Sequence, residues 1–140
     1  MESVNTKDRS GHTPLIKASK EGSKDSVIDL LHRGADITAS SDKGKTALHY
    51  AAANGHTEIV KMLLEKGGEP DARDREGHTP LMLAAIYGCN LTVQALLDGG
   101  ANPSLKTPAG NSAVLYADNN NHSLASALLK KAERAKHGTA

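Results

Sequence analysis

The protein has 140 residues, 38% of them apolar and 24% charged, with a formal net charge of +1. That size suits one domain rather than two, and that balance gives no global electrostatic reason for a nucleic-acid or anionic-membrane partner. Phe and Trp are absent and Tyr occurs only at positions 50, 87 and 116, so the interior has to be built from Leu, Ile, Val and Ala, which suits thin layers of closely packed helices.

The chain starts with a polar stretch, Met1 to Arg9, that holds no apolar run of signal-peptide length. No later run approaches the ~18 apolar residues of a membrane helix. Cys89 is the single cysteine and cannot form an internal disulfide. These features predict a cytoplasmic, or nuclear, location.

From Gly11 onward the sequence is periodic. Gly11, Gly44, Gly77 and Gly110 stand 33 residues apart, as do Ala18, Ala51, Ala84 and Ala117. Leu30, Leu63, Leu96 and Leu129 keep the same step, and so do Leu15, Leu48, Leu81 and Val114. So many series sharing one period mark a stack of repeated units. The units run over about 7–39, 40–72, 73–105 and 106–137 of a single domain, 1–140.

Each unit opens on a turn glycine followed by a helix start. Thr13-Pro14 and Thr79-Pro80 combine an N-cap hydroxyl with a proline at the first helical position, where its missing N–H costs nothing. Thr46-Ala47 and Ser112-Ala113 keep the cap alone. The spacing predicts a short first helix, over Ala47 to Asn54 in the second unit, with small Ala51-Ala52 and Ala84-Ala85 allowing close approach. Gly22, Gly55 and Gly88 end that helix by tolerating positive φ, and Asn121, the next most tolerant type, takes their place in the fourth unit. A second helix follows, over Thr57 to Lys66 in the second unit, with Ile59, Val60, Leu63 and Leu64 at helical spacing. Gly34, Gly67 and Gly100 stop it, and a polar, hairpin-like turn leads onward.

The stretch from Asp42-Lys43-Gly44-Lys45-Thr46-Ala47-Leu48-His49 through Ala51-Ala52 to Leu63-Leu64 closely resembles the ankyrin repeat, and Gly77 to Ala85 is nearly as close. The similarity spans roughly Lys7 to Ala135. It implies an all-α solenoid of helix-turn-helix units joined by protruding β-turn loops. Three departures stand out: Ile16, Met82 and Leu115 replace the motif histidine kept at His49, Asp118 replaces Ala52 and Ala85, and Lys130 replaces Leu64 and Leu97. The polar outer residues of the first unit (Lys17, Lys20, Asp25) and the last (Asn119, Lys130, Lys131) are those of capping repeats, which face water on one side. They predict a complete small solenoid and an elongated monomer.

Chemistry is sparse by comparison. The seven histidines, at positions 12, 32, 49, 56, 78, 122 and 137, include no pair four residues apart. With a lone cysteine they offer no metal-binding spacing. Cys89 falls near the start of a second helix, where the helix dipole favours thiolate, but no partner base is in evidence. The expectation is no catalytic residue, no metal and no cofactor. Some members of the resembled family carry a hydroxylated asparagine in the loop after the second helix. The matching residues here are Thr38, Asp71 and Ser104, so that modification is not expected.

The resemblance implies partner binding by the turn tips and the exposed side of the first helices, which line a concave face. Carried over by position, it points to Arg9, His12, Lys43, Lys45, Arg75, His78, Ile86, Tyr87 and Asn111 as partner-binding residues. Ile86 and Tyr87, the bulky apolar pair, either pack on the neighbouring first helix or anchor the partner, with Lys45 and Arg75 steering it. A basic surround with an apolar anchor suits an acidic segment of another protein. The function implied is that of an adaptor or scaffold. The alternative is a stoichiometric inhibitor, regulator or assembly chaperone of an enzyme complex, although the full-length first helix of the second unit fits the four-repeat kinase inhibitors poorly.

Overall fold

In the computed structural model, which describes residues 3–137, eight α-helices follow one another in pairs. The pairs are α1 (Pro14–Glu21) with α2 (Lys24–His32), α3 (Ala47–Ala53) with α4 (Thr57–Glu65), α5 (Pro80–Ile86) with α6 (Asn90–Asp98), and α7 (Ala113–Asn119) with α8 (Ser123–His137). Helices α1, α3, α5 and α7 form one layer, each against the next, and α2, α4, α6 and α8 form the other. Among the described residues there is no named strand. The loops carry only isolated antiparallel bridges, Ser40 with Thr46 and Lys106 with Ser112.

Local chemistry sets the helix starts. The hydroxyls of Thr13, Thr46, Thr79 and Ser112 accept the backbone N–H three residues on, at 3.2, 3.4, 3.3 and 3.3 Å. Each satisfies one of the orphan donors of a first turn. The first helix of the second repeat ends at Ala53, with Asn54 as its cap, and the second ends at Glu65, each one residue short of the expected boundary. Asn121 takes φ of 59°, the left-handed conformation expected where glycine is replaced. The last helix runs for 15 residues against nine in α2, α4 and α6. Its extra turns bring Ala132 and Ala135 over Leu97, Ala101 and Pro103 of the third repeat.

The core is one continuous cluster from Leu15 to Leu129. Val27, Leu30, Ile59, Val60, Leu63, Val93, Leu96 and Leu129 fill the space between the layers, and Ala51, Ala52, Ala84, Ala85 and Ala117 are buried between first helices. Each turn closes in the same way. Asp8, Ser41, Asp74 and Thr107 donate their N–H to the carbonyl four residues on, at 2.9–3.0 Å.

His49 is fully buried and joins two repeats. Its Nδ1 accepts the Thr46 N–H at 3.0 Å, so its Nε2–H donates to the His78 carbonyl at 2.9 Å in the next turn. Along the opposite edge of the stack, at the helix–helix turns, His56 Nε2–H donates to the Lys20 carbonyl and His122 Nε2–H to that of Ile86, at 3.1 and 3.0 Å. Those rings lie so close over Gly22 and Gly88 that a Cβ there would come within 2.6 Å of them. Cys89 holds the equivalent place between the second and third repeats, against Gly55, and makes no such bond to Ala53.

Two outcomes follow from these ties. Cys89→His should supply the missing bond, raising stability by ~1 kcal/mol and the melting temperature by about 3 °C. An unchanged or lower melting temperature in calorimetry would refute the equivalence of the three sites. Burial holds the His49 ring below its ordinary value of 6.5. The unfolded chain therefore takes up a proton as pH falls through that value while the native ring does not, so stability is present above it and declines below it. His49→Met, which copies Met82 with its sulfur 3.5 Å from the Thr79 N–H, should flatten this part of the curve in denaturant titrations across the range.

Candidate functional site

The turn tips stand in a row. Arg9, Ser10, Asp42, Lys43, Arg75, Glu76, Pro108 and Ala109 occupy them, and all are exposed. Backbone hydrogen bonds rung the first three tips together: Asp42 N–H to the Ser10 carbonyl at 3.1 Å, and Arg75 N–H to that of Lys43 at 3.0 Å. The next rung is missing because Pro108 has no N–H, and its ring lies against Gly77 instead. Arg73 laces that junction from behind, donating from Nη1 to the carbonyls of Gly77 and Lys106 at 3.1 and 2.9 Å.

Behind the tips lies a second register, His12, Lys45, His78 and Asn111. These side chains turn inward to brace the face. His12 Nε2 lies 3.1 Å from Tyr50 Oη, which also meets Ser41 Oγ at 2.9 Å. His78 Nε2 lies 3.0 Å from Tyr116 Oη, and Asn111 Nδ2 reaches the same oxygen at 3.5 Å. Both histidine–tyrosine pairs are edge-on, with ring centroids 5.2 and 5.6 Å apart. Tyr50 and Tyr116 therefore form part of the floor, although position alone had not marked them for the site. Their spacing from the histidines, 38 residues in each case, was the available signal.

Lys45 is committed to an ion pair. Its Nζ sits 2.8 Å from Oδ2 of Asp74, whose side chain is wholly buried. Burial pushes the Asp74 carboxyl up, but the Lys45 ammonium and the N–H groups of His78 and Glu76 outweigh it and hold the carboxyl below its ordinary 3.8. Asp8 is lowered likewise, chiefly by the His12 N–H. Among the described residues Arg9, Lys20, Lys43 and Arg75 make no ion pair. Glu21, Asp42 and Glu76 on the same face make none either, so a small positive excess lies toward its N-terminal end, while Asn111, Asn119 and Asn120 carry no charge at the other.

The apolar candidates separate. Ile86 is half-buried at the end of α5, its carbonyl taken by His122. Tyr87 caps the same helix and is 62% exposed. Two exposed leucines escaped positional reasoning. Leu91, in the first turn of α6, shares the helix–helix turn with Tyr87, and Leu124 takes its place one repeat on. The signal was Asp25 and Glu58 giving way to leucine at that register.

Burial pushes the Cys89 thiol up, against the thiolate that a helix start would favour. Asn5 belongs to the register of Thr38, Asp71 and Ser104. Its Oδ1 accepts the Asp36 N–H at 2.8 Å, as Oδ1 of Asp71 accepts that of Asn102 at 2.8 Å. An asparagine is therefore present in that register, and the expectation drawn from the three later positions omitted it. Among the described residues no group of three or more His, Cys, Asp or Glu side chains could hold a metal ion, and no helix is long and apolar enough to cross a membrane.

Two family models match the chain. The one described as ankyrin repeats in three copies covers residues 38–107, and the one described as ankyrin repeats in many copies covers 2–51. Among curated proteins, none matches the chain. Such repeats generally mediate protein–protein interaction. The matched residues, the repeated turns and the paired helix layers agree: this chain belongs to the ankyrin-repeat family.

Proposed function

We propose that the protein is a non-catalytic recognition module of the adaptor or scaffold type, holding an acidic segment of a partner protein along its concave face. The observation that carries this reading is Tyr87, a large aromatic ring left 62% exposed in an interior repeat. Exposed aromatic side chains beside polar rims are where binding energy concentrates. Leu91 extends the apolar area on the same helix–helix turn. Arg9, Lys43 and Arg75, along the tips, supply the surround that attracts acidic sequence. Lys45 holds the Asp74 turn in shape, so steering falls to the tip cations.

Three variants divide these roles once the partner has been captured with the tagged chain and identified by mass spectrometry. Tyr87→Ala should weaken binding by ~2 kcal/mol, about thirtyfold, through faster dissociation and with an unchanged melting temperature. Arg75→Glu should slow association, most visibly at low salt. Lys45→Met strands a buried carboxylate and should cost ~2 kcal/mol of folding stability while leaving association rates alone. Normal binding by Tyr87→Ala would move the partner to another surface.

A further inference from the structure

The junction of the first two repeats holds a cleft of about 400 Å³ on the concave face. Its rim carries Arg9, Lys20 and Lys43, and its one acid is Asp42. The three cations come from three elements: the first turn tip, the end of α1 and the second turn tip. The Asp42–Ser10 rung fixes the two tips relative to each other. Lys20 is fixed by its carbonyl, which accepts from Asn54 Nδ2 at 2.9 Å and His56 Nε2 at 3.1 Å, and its ammonium lies 5.6 Å over the Tyr50 ring. The floor is polar, because Tyr50 Oη is already engaged by His12 and Ser41.

The scaffold does not require this cluster. One repeat on, the residues in the places of Arg9, Lys20 and Lys43 are Asp42, Ala53 and Glu76; two repeats on they are Arg75, Ile86 and Ala109. The cleft is thus a single positive site beside a junction that carries acids. A long polyanion would meet Glu76 at the next tip as soon as it left the cleft, so an isolated anion fits better than a nucleic-acid backbone.

From this geometry we infer that the cleft receives a phosphorylated side chain of the partner protein. The inference rests on the concave face being the partner surface. Three cations against one carboxylate leave an excess of two positive charges. A carboxylate side chain matches only one of them, whereas a phosphomonoester carries about −1.5 to −2 near neutral pH and offers three acceptor oxygens. Three separated cationic donors around one concavity suit those oxygens, and the Tyr50, Ser41 and His12 floor supplies further polar contacts.

The test uses the full isotope-labelled chain and follows amide resonances at about pH 7.5, where the phosphomonoester is mostly dianionic. The probes are inorganic phosphate, a short blocked peptide carrying phosphoserine, the same peptide with glutamate in that place, and an oligothymidine of about ten residues. Saturable shifts confined to Ser10, His12, Ser41, Asp42, Lys43 and Tyr50 are expected, with phosphoserine at least about tenfold tighter than glutamate. Arg9→Gln with Lys43→Gln should weaken phosphoserine by at least about tenfold at unchanged melting temperature, both residues being exposed. Lys66→Gln, on the exposed end of α4, should leave it unchanged. Equal binding of glutamate and phosphoserine, shifts spread over all surface lysines, or tighter binding of the oligothymidine would each overturn the inference. If the phosphate arms fail while Tyr87→Ala still weakens the captured partner, only the phosphate pocket falls and the recognition function stands.

Discussion

The stack depends on one steric constraint: neighbouring first helices meet through alanine. Ala51, Ala52, Ala84, Ala85 and Ala117 have no exposed surface, and α3, α5 and α7 pack each against the next. Close approach leaves little volume for a phenyl or indole ring, so a core without Phe or Trp suffices, and the smaller His49 ring is buried at the turn end, where it bonds the His78 carbonyl. The larger aliphatic side chains are confined to the space between the two layers, where the second helices stand off. Ser19 and Asp118 hold the register of Ala52 and Ala85 in the first and fourth repeats, and Ser19 is buried. Asp118 is exposed and tied to Ser126 and Lys130.

The same constraint separates what the scaffold needs from what a partner can read. Buried registers repeat in kind from unit to unit, whereas the tip register runs Arg9, Asp42, Arg75, Pro108, with no common chemistry. The turn does not depend on those side chains, because its closure is made by backbone groups and by Asp8, Ser41, Asp74 or Thr107 one step behind. Identity at the tips is therefore available to binding.

The 33-residue period made the fold legible down to single residues. Gly22 and Gly88 had to admit a backbone of positive φ, Asn121 could replace them, and the Thr and Ser caps had to start helices. A period identifies equivalent positions, but it does not say which side chain reaches across a junction. Lys45 finds Asp74 across 29 residues and His12 finds Tyr50 across 38, and both contacts depend on how one repeat sits upon the next. Lys45 thus looked like a surface cation until its partner was placed. Leu91 and Leu124 were hidden for a related reason: leucine at helical spacing reads as core unless the register that faces outward is known.

The junctions are tied in different ways, and this bears on how the face can bind. Between the first and second repeats both ends are fastened, by the Asp42–Ser10 rung at the tips and by His56 on the Lys20 carbonyl at the helix turns. Between the second and third Cys89 makes no bond of the His56 kind, the hydroxyls of Thr57 and Thr92 meet at 2.8 Å beside it, and the tip side is held by Lys45–Asp74, His49–His78 and the Arg75–Lys43 rung. Between the third and fourth Pro108 removes the rung, while His122 and Arg73 remain. Among the described residues the first junction alone combines a backbone rung at the tips with a histidine-to-carbonyl bond at the helix turn. A charged cleft binds best where its groups need little ordering on association, since each immobilised side chain costs about 0.5–1.5 kcal/mol. Arg9, Lys20 and Lys43 sit at that junction, so the part of the groove that has both the rung and the histidine tie is also its most positive part.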